Sequence, residues 1–137
     1  MKSGAFAAVI MVSFAAVAAA QDGSDSARAP WVAPARATRV ANPVATGATS
    51  VATGRRVYRE QCLMCHGARG RGDGTLATNL PVHPGDFTSV TVQRQTDGAL
   101  YWKITEGRNT MPGMRGVLTE AERWSLVNYL RTFKTKS

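Results

Sequence analysis

The stretch Cys-Leu-Met-Cys-His at residues 62–66 decides how the chain is interpreted. Its Cys-x-x-Cys-His spacing is the attachment signature of c-type haem. Cys62 and Cys65 lie three residues apart, so on one helical turn both thiols can reach the two vinyl groups of one porphyrin edge. The next residue, His66, can then give a nitrogen to the iron. The motif therefore predicts one haem c, attached through Cys62 and Cys65, with His66 as an iron ligand.

The chain around this motif divides into three parts. Residues 1–20 combine Lys2, an apolar run and the small residues 18–20, which is the pattern of a secretory signal peptide. An uncleaved membrane anchor is the alternative. Residues 21–50 contain three prolines among Ala, Thr, Ser and Arg, with Trp31 as the only large apolar side chain, and are expected to form a flexible tether. Residues 51–137 are then the folded domain, and a periplasmic location is expected.

The motif has competing interpretations. A zinc site on its three side chains needs a fourth ligand; His83 is available, but a second Cys or His pair is missing. A dithiol of the thioredoxin type needs a strand before Cys62 and a parallel βαβ pattern, and neither is visible. A chance match is the third alternative. Because Cys62 and Cys65 are the only cysteines of a chain that begins with an export signal, haem attachment is the preferred interpretation.

Composition limits the other functional classes. The 137 residues are 44% hydrophobic and 19% charged, which allows one globular domain, and two cysteines exclude a disulfide scaffold. The formal net charge of +8 suits an acidic protein partner, an anionic membrane or nucleic acid. The basic residues are scattered, with Arg55-Arg56 the only adjacent pair and no run of five or more. No nucleic-acid partner is therefore expected.

Helical patterns predict an all-α fold with three to four helices and long loops. The first helix is expected from Val51 or Ala52 to Gln61, with Thr53 as its N-cap. Residues 67–84 contain four glycines and two prolines and are predicted to be a loop, and the alternation typical of a strand is limited to a short run at residues 89–92. The middle helix is expected over residues 96–106, capped at its start by residue 96. The last helix begins with the capping box formed by residues 119–122.

The chain resembles the small class I cytochromes c of bacterial electron transport. The resemblance covers about residues 51–133 and rests on four ordered segments. These are Gly-Arg-Arg-Val-Tyr at 54–58, the haem motif at 62–67, Met-Pro-Gly at 111–113 and the helical pattern at 118–133. The resemblance implies a fold of helices and loops wrapped around a covalent haem, in which the last helix crosses the first near Gly54.

The resemblance also implies a carbonyl partner for the axial histidine. In the family, a proline carbonyl in the loop after the motif accepts a hydrogen bond from the other nitrogen of the histidine, which fixes its tautomer. Pro81 is the first choice for this role and Pro84 the second.

Met111 is the expected sixth iron ligand. Met64 lies between the two cysteines and cannot reach the far face of the haem. Pro112 forces Met111 into an extended conformation, so its side chain is presented from a loop. The Met-Pro pair also matches the ligand position of the family. Met114 is the main alternative ligand, and if Met111 binds the iron, Met114 is expected to pack against the haem. His83 is a further, less favoured candidate ligand.

These observations predict an exported monohaem cytochrome c that carries single electrons and is not an enzyme. Its partners would be redox proteins, with acidic docking surfaces that suit the basic chain. One alternative is a haem c subunit of a larger membrane-bound respiratory or dehydrogenase complex, in which a partner or an uncleaved N-terminus supplies the membrane contact. Another is a haem with an open sixth position that binds a small molecule or reacts with peroxide.

Overall fold

The computed structural model describes residues 29–134. The predicted signal peptide at 1–20 and the first part of the predicted tether, residues 21–28, lie outside the described residues. These described residues contain six α-helices and one 3₁₀ turn: α1 (Ala35–Thr38), α2 (Ala48–Gln61), α3 (Leu63–His66), the 3₁₀ turn (Ala77–Asn79), α4 (Val90–Gln93), α5 (Asp97–Glu106) and α6 (Glu120–Arg131). Extended pairing within residues 29–134 is limited to one isolated bridge between Arg108 and Met111. The all-α prediction is confirmed. No helix in this range is long and apolar enough to cross a membrane.

Helix α2 begins earlier than the sequence predicts. It starts at Ala48, after Gly47, whose N–H donates to the Ser50 hydroxyl at 3.2 Å. The Ser50 hydroxyl in turn donates to the carbonyl of Ala45 at 2.9 Å. The prediction that Thr53 caps this helix is wrong, because Ser50 occupies the first turn and binds the backbone just before it.

Helices α2 and α6 cross closely at Gly54. A Cβ atom at Gly54 would lie 2.2 Å from the Ser125 carbonyl oxygen and 2.7 Å from the Tyr129 Cβ. Glycine costs about 1 kcal/mol relative to alanine inside a helix, but here only glycine allows the two backbones to approach. Tyr58, one turn further on, packs edge to face on Tyr129 with ring centroids 5.3 Å apart. The predicted crossing is confirmed.

The caps of α5 and α6 follow the sequence pattern. The Thr96 hydroxyl accepts a hydrogen bond from the N–H of Ala99, which begins α5. Helix α5 ends at Gly107, whose φ of 67° and ψ of 175° are accessible only to glycine. In α6, Thr119 and Glu122 form the predicted capping box, since each side chain binds the backbone N–H of the other residue. Both ends of the loop between the helices are therefore fixed.

Residues 90–93 form the helical turn α4, so the short alternating run at 89–92 does not form a strand. The Ser89 hydroxyl accepts a hydrogen bond from the N–H of Val92 and starts the single turn of α4. Gln93 closes the turn, because its side-chain amide donates to the carbonyls of Phe87 at 2.6 Å and Leu130 at 2.9 Å. The serine cap outweighs the weak alternation of apolar residues.

The second half of the predicted tether is packed against the domain. Ala33 and Ala37 are buried against Ala99 of α5. The Asn42 amide donates to the side chain of Asn128 on α6 at 2.9 Å. Over residues 29–50 the structure therefore differs from the flexible tether expected there. The small side chains let this segment pack closely on the domain without large apolar groups. The Asn42–Asn128 hydrogen bond satisfies polar groups that become buried when the segment packs there.

Candidate functional site

An apolar cavity of about 320 Å³ lies between the haem-motif residues and the loop that precedes α6. Cys62, Cys65 and His66 line it from the motif, and Met111 and Met114 line it from the loop. The cavity is otherwise bounded mainly by apolar side chains: Leu80, Val82, Phe87, Val92, Leu100, Ile104 and Leu130. A cavity of this lining suits a large, mostly apolar cofactor held by a few polar groups. The structure thus brings together all the ligand and attachment residues that the sequence predicts.

His66 is held in one orientation with one nitrogen free. Its side chain is 8% exposed, and its Nδ1 lies 3.1 Å from the carbonyl oxygen of Gly85. Because a carbonyl can only accept, Nδ1 carries the proton and Nε2 is left with its lone pair. Burial lowers the pKa of His66 below its usual value, although the Gly85 hydrogen bond opposes this. The Phe87 ring stacks on the imidazole, with the two ring centroids 4.4 Å apart. His66 is therefore a neutral, oriented imidazole, which is the form in which histidine binds a metal.

The carbonyl partner of His66 is Gly85 and not Pro81 or Pro84, so that prediction is wrong. Pro81 is exposed and does not line the cavity. The carbonyl of Pro84 lies 2.9 Å from Nδ1 of His83 and is thereby engaged. Gly85 follows Pro84 directly and lies one residue beyond the predicted loop at 67–84. A backbone carbonyl leaves no mark in the side-chain sequence that would have identified it.

The two cysteines form part of a helical turn at the edge of the cavity. The N–H groups of Cys65 and His66 both donate to the carbonyl of Cys62, at 3.2 and 2.9 Å. Burial, with Cys65 nearby, raises the pKa of the Cys62 thiol to about 12. A reactive dithiol instead needs a cysteine whose pKa is lowered. The environment of Cys62 therefore disfavours the dithiol interpretation.

The loop after the motif binds back onto the motif backbone. The N–H of Gly72 donates to the His66 carbonyl at 2.9 Å, and that of Gly74 donates to the Cys65 carbonyl at 3.1 Å. A Cβ atom at Gly74 would lie 2.3 Å from the Met64 carbonyl oxygen, which explains the glycine. The glycine-rich composition thus serves close packing around the attachment site.

The three methionines of residues 29–134 occupy different environments. Met64 is 53% exposed on the motif turn. Met111 is half-buried at the cavity, in a turn closed by a pair of backbone hydrogen bonds with Arg108 of 2.9 and 3.0 Å. Met114 is 5% exposed and belongs to the main hydrophobic core, with its N–H donating to the Ile104 carbonyl. Met111 is therefore presented from a loop, whereas Met114 is packed among core side chains.

Comparison with known proteins identifies the family to which this domain belongs. Residues 49–130 match the family model described as cytochrome c oxidase, cbb3-type, subunit III. The chain belongs to this family. Its described residues form a c-type cytochrome domain, and the match includes the attachment motif and Met111. No curated protein matches the chain.

Two solved structures resemble the cytochrome domain. One is a chain of the reducing HAO-like protein complex Kustc0457/Kustc0458 of Kuenenia stuttgartiensis, with 29% identity and a TM-score of 0.60 over 68% of this chain. The present chain covers 47% of that chain, which is about half its length. The other is the KustC0563 c-type cytochrome, with 28% identity and a TM-score of 0.53 over 60% of this chain and 98% of that one. Both likenesses agree with the fold prediction.

The cytochrome c family implies a covalently bound haem c, and the residues of this chain fit that group. Cys62 and Cys65 both border the apolar cavity, and the neutral His66 imidazole lies beside them with Nε2 free of the Gly85 hydrogen bond. Within residues 29–134, no three His, Cys, Asp or Glu side chains come together as a metal site of their own. The environment therefore suits a haem iron better than a zinc ion.

One part of the cytochrome cavity is polar, and the sequence did not indicate it. Trp31, Gln95, Lys103 and Arg108 line the cavity together with Ala29. The Lys103 ammonium donates to the Gln95 side-chain oxygen at 2.5 Å and lies 5.4 Å from the centroid of the Trp31 ring. Burial, followed by the positive charge of Arg108, lowers the pKa of Lys103. The one available signal was Trp31, the only large apolar side chain in its proline-rich stretch.

Proposed function

We propose that the protein is an exported monohaem cytochrome c that carries single electrons between redox partners through an iron ligated by His66 and Met111. The observation that carries this proposal is the position of both residues on one apolar cavity that Cys62 and Cys65 also border. When bound there, haem c supplies a one-electron redox couple at its iron.

The residues of the chain would hold the haem in a fixed environment. Cys62 and Cys65 would anchor one edge of the porphyrin, and the Gly85 carbonyl orients His66 so that Nε2 faces away from the backbone. The apolar side chains exclude water, which keeps the polar reorganisation during electron transfer small. These roles of holding and shielding the haem are those of an electron carrier, so we infer a carrier rather than an enzyme.

Met111 is the proposed sixth ligand. It lies in a loop closed by the Arg108 hydrogen bonds, and Pro112 prevents a helix there. Histidine with a methionine thioether raises the reduction potential of a haem, which suits a carrier with a closed iron site. The burial of Met114 in the core supports a packing role for that residue.

The inferred partners are redox proteins with acidic docking surfaces, reached in the periplasm. The net charge of +8 supports electrostatic attraction to such surfaces. Arg55, Arg69 and Arg71 are among the exposed basic residues that could take part in such contacts. No nucleic-acid partner is proposed. Export rests on the signal-peptide pattern at residues 1–20.

A second candidate is a haem c subunit of a larger membrane-bound respiratory or dehydrogenase complex. The description of the family as subunit III of an oxidase favours it, as does the likeness to a chain of a two-component redox complex. In that case the N-terminus or a partner subunit would supply the membrane contact. Fractionation of the native cells distinguishes the two, because a free carrier is recovered in the periplasmic fraction and a subunit with the membranes.

Absorption spectra of the exported holoprotein test the electron-carrier function. We expect a covalently bound haem that is low-spin in both oxidation states and does not bind carbon monoxide when reduced. The Met111→Ala variant should bind carbon monoxide, while Met114→Ala should not, because only Met111 blocks the sixth position. Ready carbon monoxide binding by the unmodified protein would contradict the proposal and favour a ligand-binding or peroxide-reactive haem. Protein without covalent haem would contradict both.

A further inference from the structure

A groove on the outer surface shares a wall with the haem cavity. We define residues 29–40 as the N-terminal segment. The groove has a volume of about 690 Å³ and lies between this segment, the end of α5 and the loop that follows α5. Trp31 is half-buried and lines both the groove and the haem cavity. A molecule bound in the groove would therefore contact a side chain that also borders the haem cavity.

The segment that forms this wall is docked on α5 by specific packing. A Cβ atom at Gly98 would lie 2.1 Å from the Ala37 carbonyl oxygen, so a larger residue there would force the two backbones apart. Ala33 and Ala37 are buried in a small cluster with Ala99. The segment lies outside residues 49–130, which match the family. The family domain alone therefore does not form this groove.

The groove presents large apolar side chains to solvent. Val32 is 75% exposed, which is the highest value among the exposed large hydrophobic side chains of residues 29–134. Trp31 and Trp102 are both half-buried and both line the groove. Tryptophan is enriched among the residues that dominate binding energy in protein interfaces, and exposed apolar groups rimmed by polar residues mark interaction sites. The composition of the groove therefore suits a protein partner.

The charges of the groove suit an acidic partner. Arg36 is exposed on α1, and no acidic side chain within residues 29–134 forms an ion pair with it. Of the described residues that line the groove, Glu106 is the one acidic residue, and it pairs with Arg115. A carboxylate of a partner can therefore bind Arg36 without displacing a carboxylate of the described chain. Opposite charges of this kind also accelerate the encounter of two proteins.

We propose that the redox partner docks in this groove, where its acidic residues bind Arg36, and that the electron passes between partner and haem at the wall formed by Trp31. This proposal rests on the electron-carrier function proposed above. When the protein acts as donor, the iron loses one electron and a one-electron centre of the partner gains it. No bond is made or broken and no proton is transferred. Arg36 thus controls association, whereas Trp31 controls transfer within the complex.

Stopped-flow oxidation of the reduced holoprotein tests the docking site. The probe is the Cu(II) form of an acidic blue-copper protein, which accepts one electron. Arg36→Gln should lower the association rate constant about threefold at low ionic strength, and salt should reduce the difference, because one attractive charge is lost. Arg59→Gln is the matched control, since Arg59 is exposed on α2 and does not line the groove. Equal rate constants for the two variants would overturn the docking site.

Two tryptophan variants test the transfer contact. At saturating probe, Trp31→Ala should lower the limiting rate of electron transfer several-fold, and Trp31→Phe should restore most of it. Trp102→Ala should leave the limiting rate unchanged and raise only the half-saturating concentration, because Trp102 lines the groove but not the haem cavity. Equal limiting rates for Trp31→Ala and Trp102→Ala would overturn the role of Trp31.

The same measurements identify other occupants of the groove. Residues 21–28 contain two carboxylates, Asp22 and Asp25. If Asp22→Asn/Asp25→Asn accelerates the reaction when Arg36 is present but not in Arg36→Gln, this part of the chain fills the groove and the proposal is overturned. A dimer of the unmodified holoprotein that Trp102→Ala dissociates, measured by analytical ultracentrifugation, would assign the groove to a second copy and overturn it too. We expect a monomer and no such acceleration.

The spectrum of the unmodified holoprotein separates this proposal from the proposed function. If that protein is low-spin and resists carbon monoxide but Arg36→Gln and Arg59→Gln react alike, only the docking site is wrong. If it lacks a covalent haem or binds carbon monoxide readily, the function proposed above fails and the docking proposal fails with it.

Discussion

The two sides of the cavity are held in place by different means. The attachment side, residues 62–85, folds back on itself, since Gly72 and Gly74 donate to motif carbonyls and Gly85 accepts from His66. The methionine side, residues 107–118, has the Arg108–Met111 pair, bonds from the N–H groups of Val117 and Leu118 to the Met114 carbonyl, and one bond from Met114 to α5. Met114 and Leu118 also belong to the hydrophobic core shared with α5 and α6. The attachment side is therefore bound to the backbone of the motif itself, whereas the methionine side is made of short turns that pack on α5 and α6.

The largest expected effect concerns the attachment side. The double variant Cys62→Ala/Cys65→Ala should carry no covalent haem, because both thiols that can form thioether bonds are gone. Haem staining of the denatured protein measures this loss. Met64→Leu is the control within the same turn, since Met64 is exposed and attached to nothing in the cavity. Covalent haem in the double variant would mean that attachment does not use this motif.

The next effect concerns the helix crossing that supports both sides. Gly54→Ala should lower the free energy of unfolding by about 1–3 kcal/mol, because the new methyl group meets the Ser125 carbonyl in a packed crossing. Denaturant unfolding of the holoprotein measures the change. Gly47→Ala is a suitable comparison, since a Cβ atom there meets nothing within 4 Å. Equal stability for the two variants would mean that α2 and α6 do not cross as closely as described.

A third variant tests the long-range contacts between α6 and residues 42–50. Asn128 is 2% exposed and binds the Asn42 side chain, the Val44 carbonyl and the Ser50 hydroxyl. Asn128→Ala removes all of these hydrogen bonds and should lower the free energy of unfolding by about 1–3 kcal/mol. Thermal unfolding measures it. Asn42→Ala should cost less, because Asn128 keeps a hydrogen bond from the Thr46 hydroxyl at 3.1 Å. The reverse order would contradict this network.

The smallest effect is the pH dependence of the α6 cap. The hydrogen bond from the Thr119 N–H, followed by that from Arg56, holds the pKa of Glu122 below its usual 4.5. A lowered pKa in the folded state means that the carboxylate stabilises the fold above pH 4.5, and that this contribution is lost as the pH falls further. Glu122→Gln should flatten the acid side of the stability profile, whereas Glu120→Gln, exposed in the same turn, should not. Parallel profiles would contradict the cap.

The distance along the chain between contacting residues explains which features could be predicted from the sequence. The caps at Thr96 and Thr119 were predicted correctly because their contacts lie within a few residues. The Gly54 crossing came from the family resemblance. The acceptor Gly85 was missed because any residue can present a backbone carbonyl. The docking of residues 29–50 was missed because it depends on Gly98 and Asn128, which are distant in sequence and ordinary in type.

The most direct test of His66/Met111 ligation is an NMR spectrum of the reduced holoprotein labelled with ¹³C at the methionine methyl groups. A methionine bound to the iron lies over the porphyrin, so the ring current shifts its methyl resonance far upfield. We expect one such resonance, absent in Met111→Leu and retained in Met114→Leu. A spectrum without a shifted methyl, or one in which only Met114→Leu removes it, would contradict Met111 as the ligand.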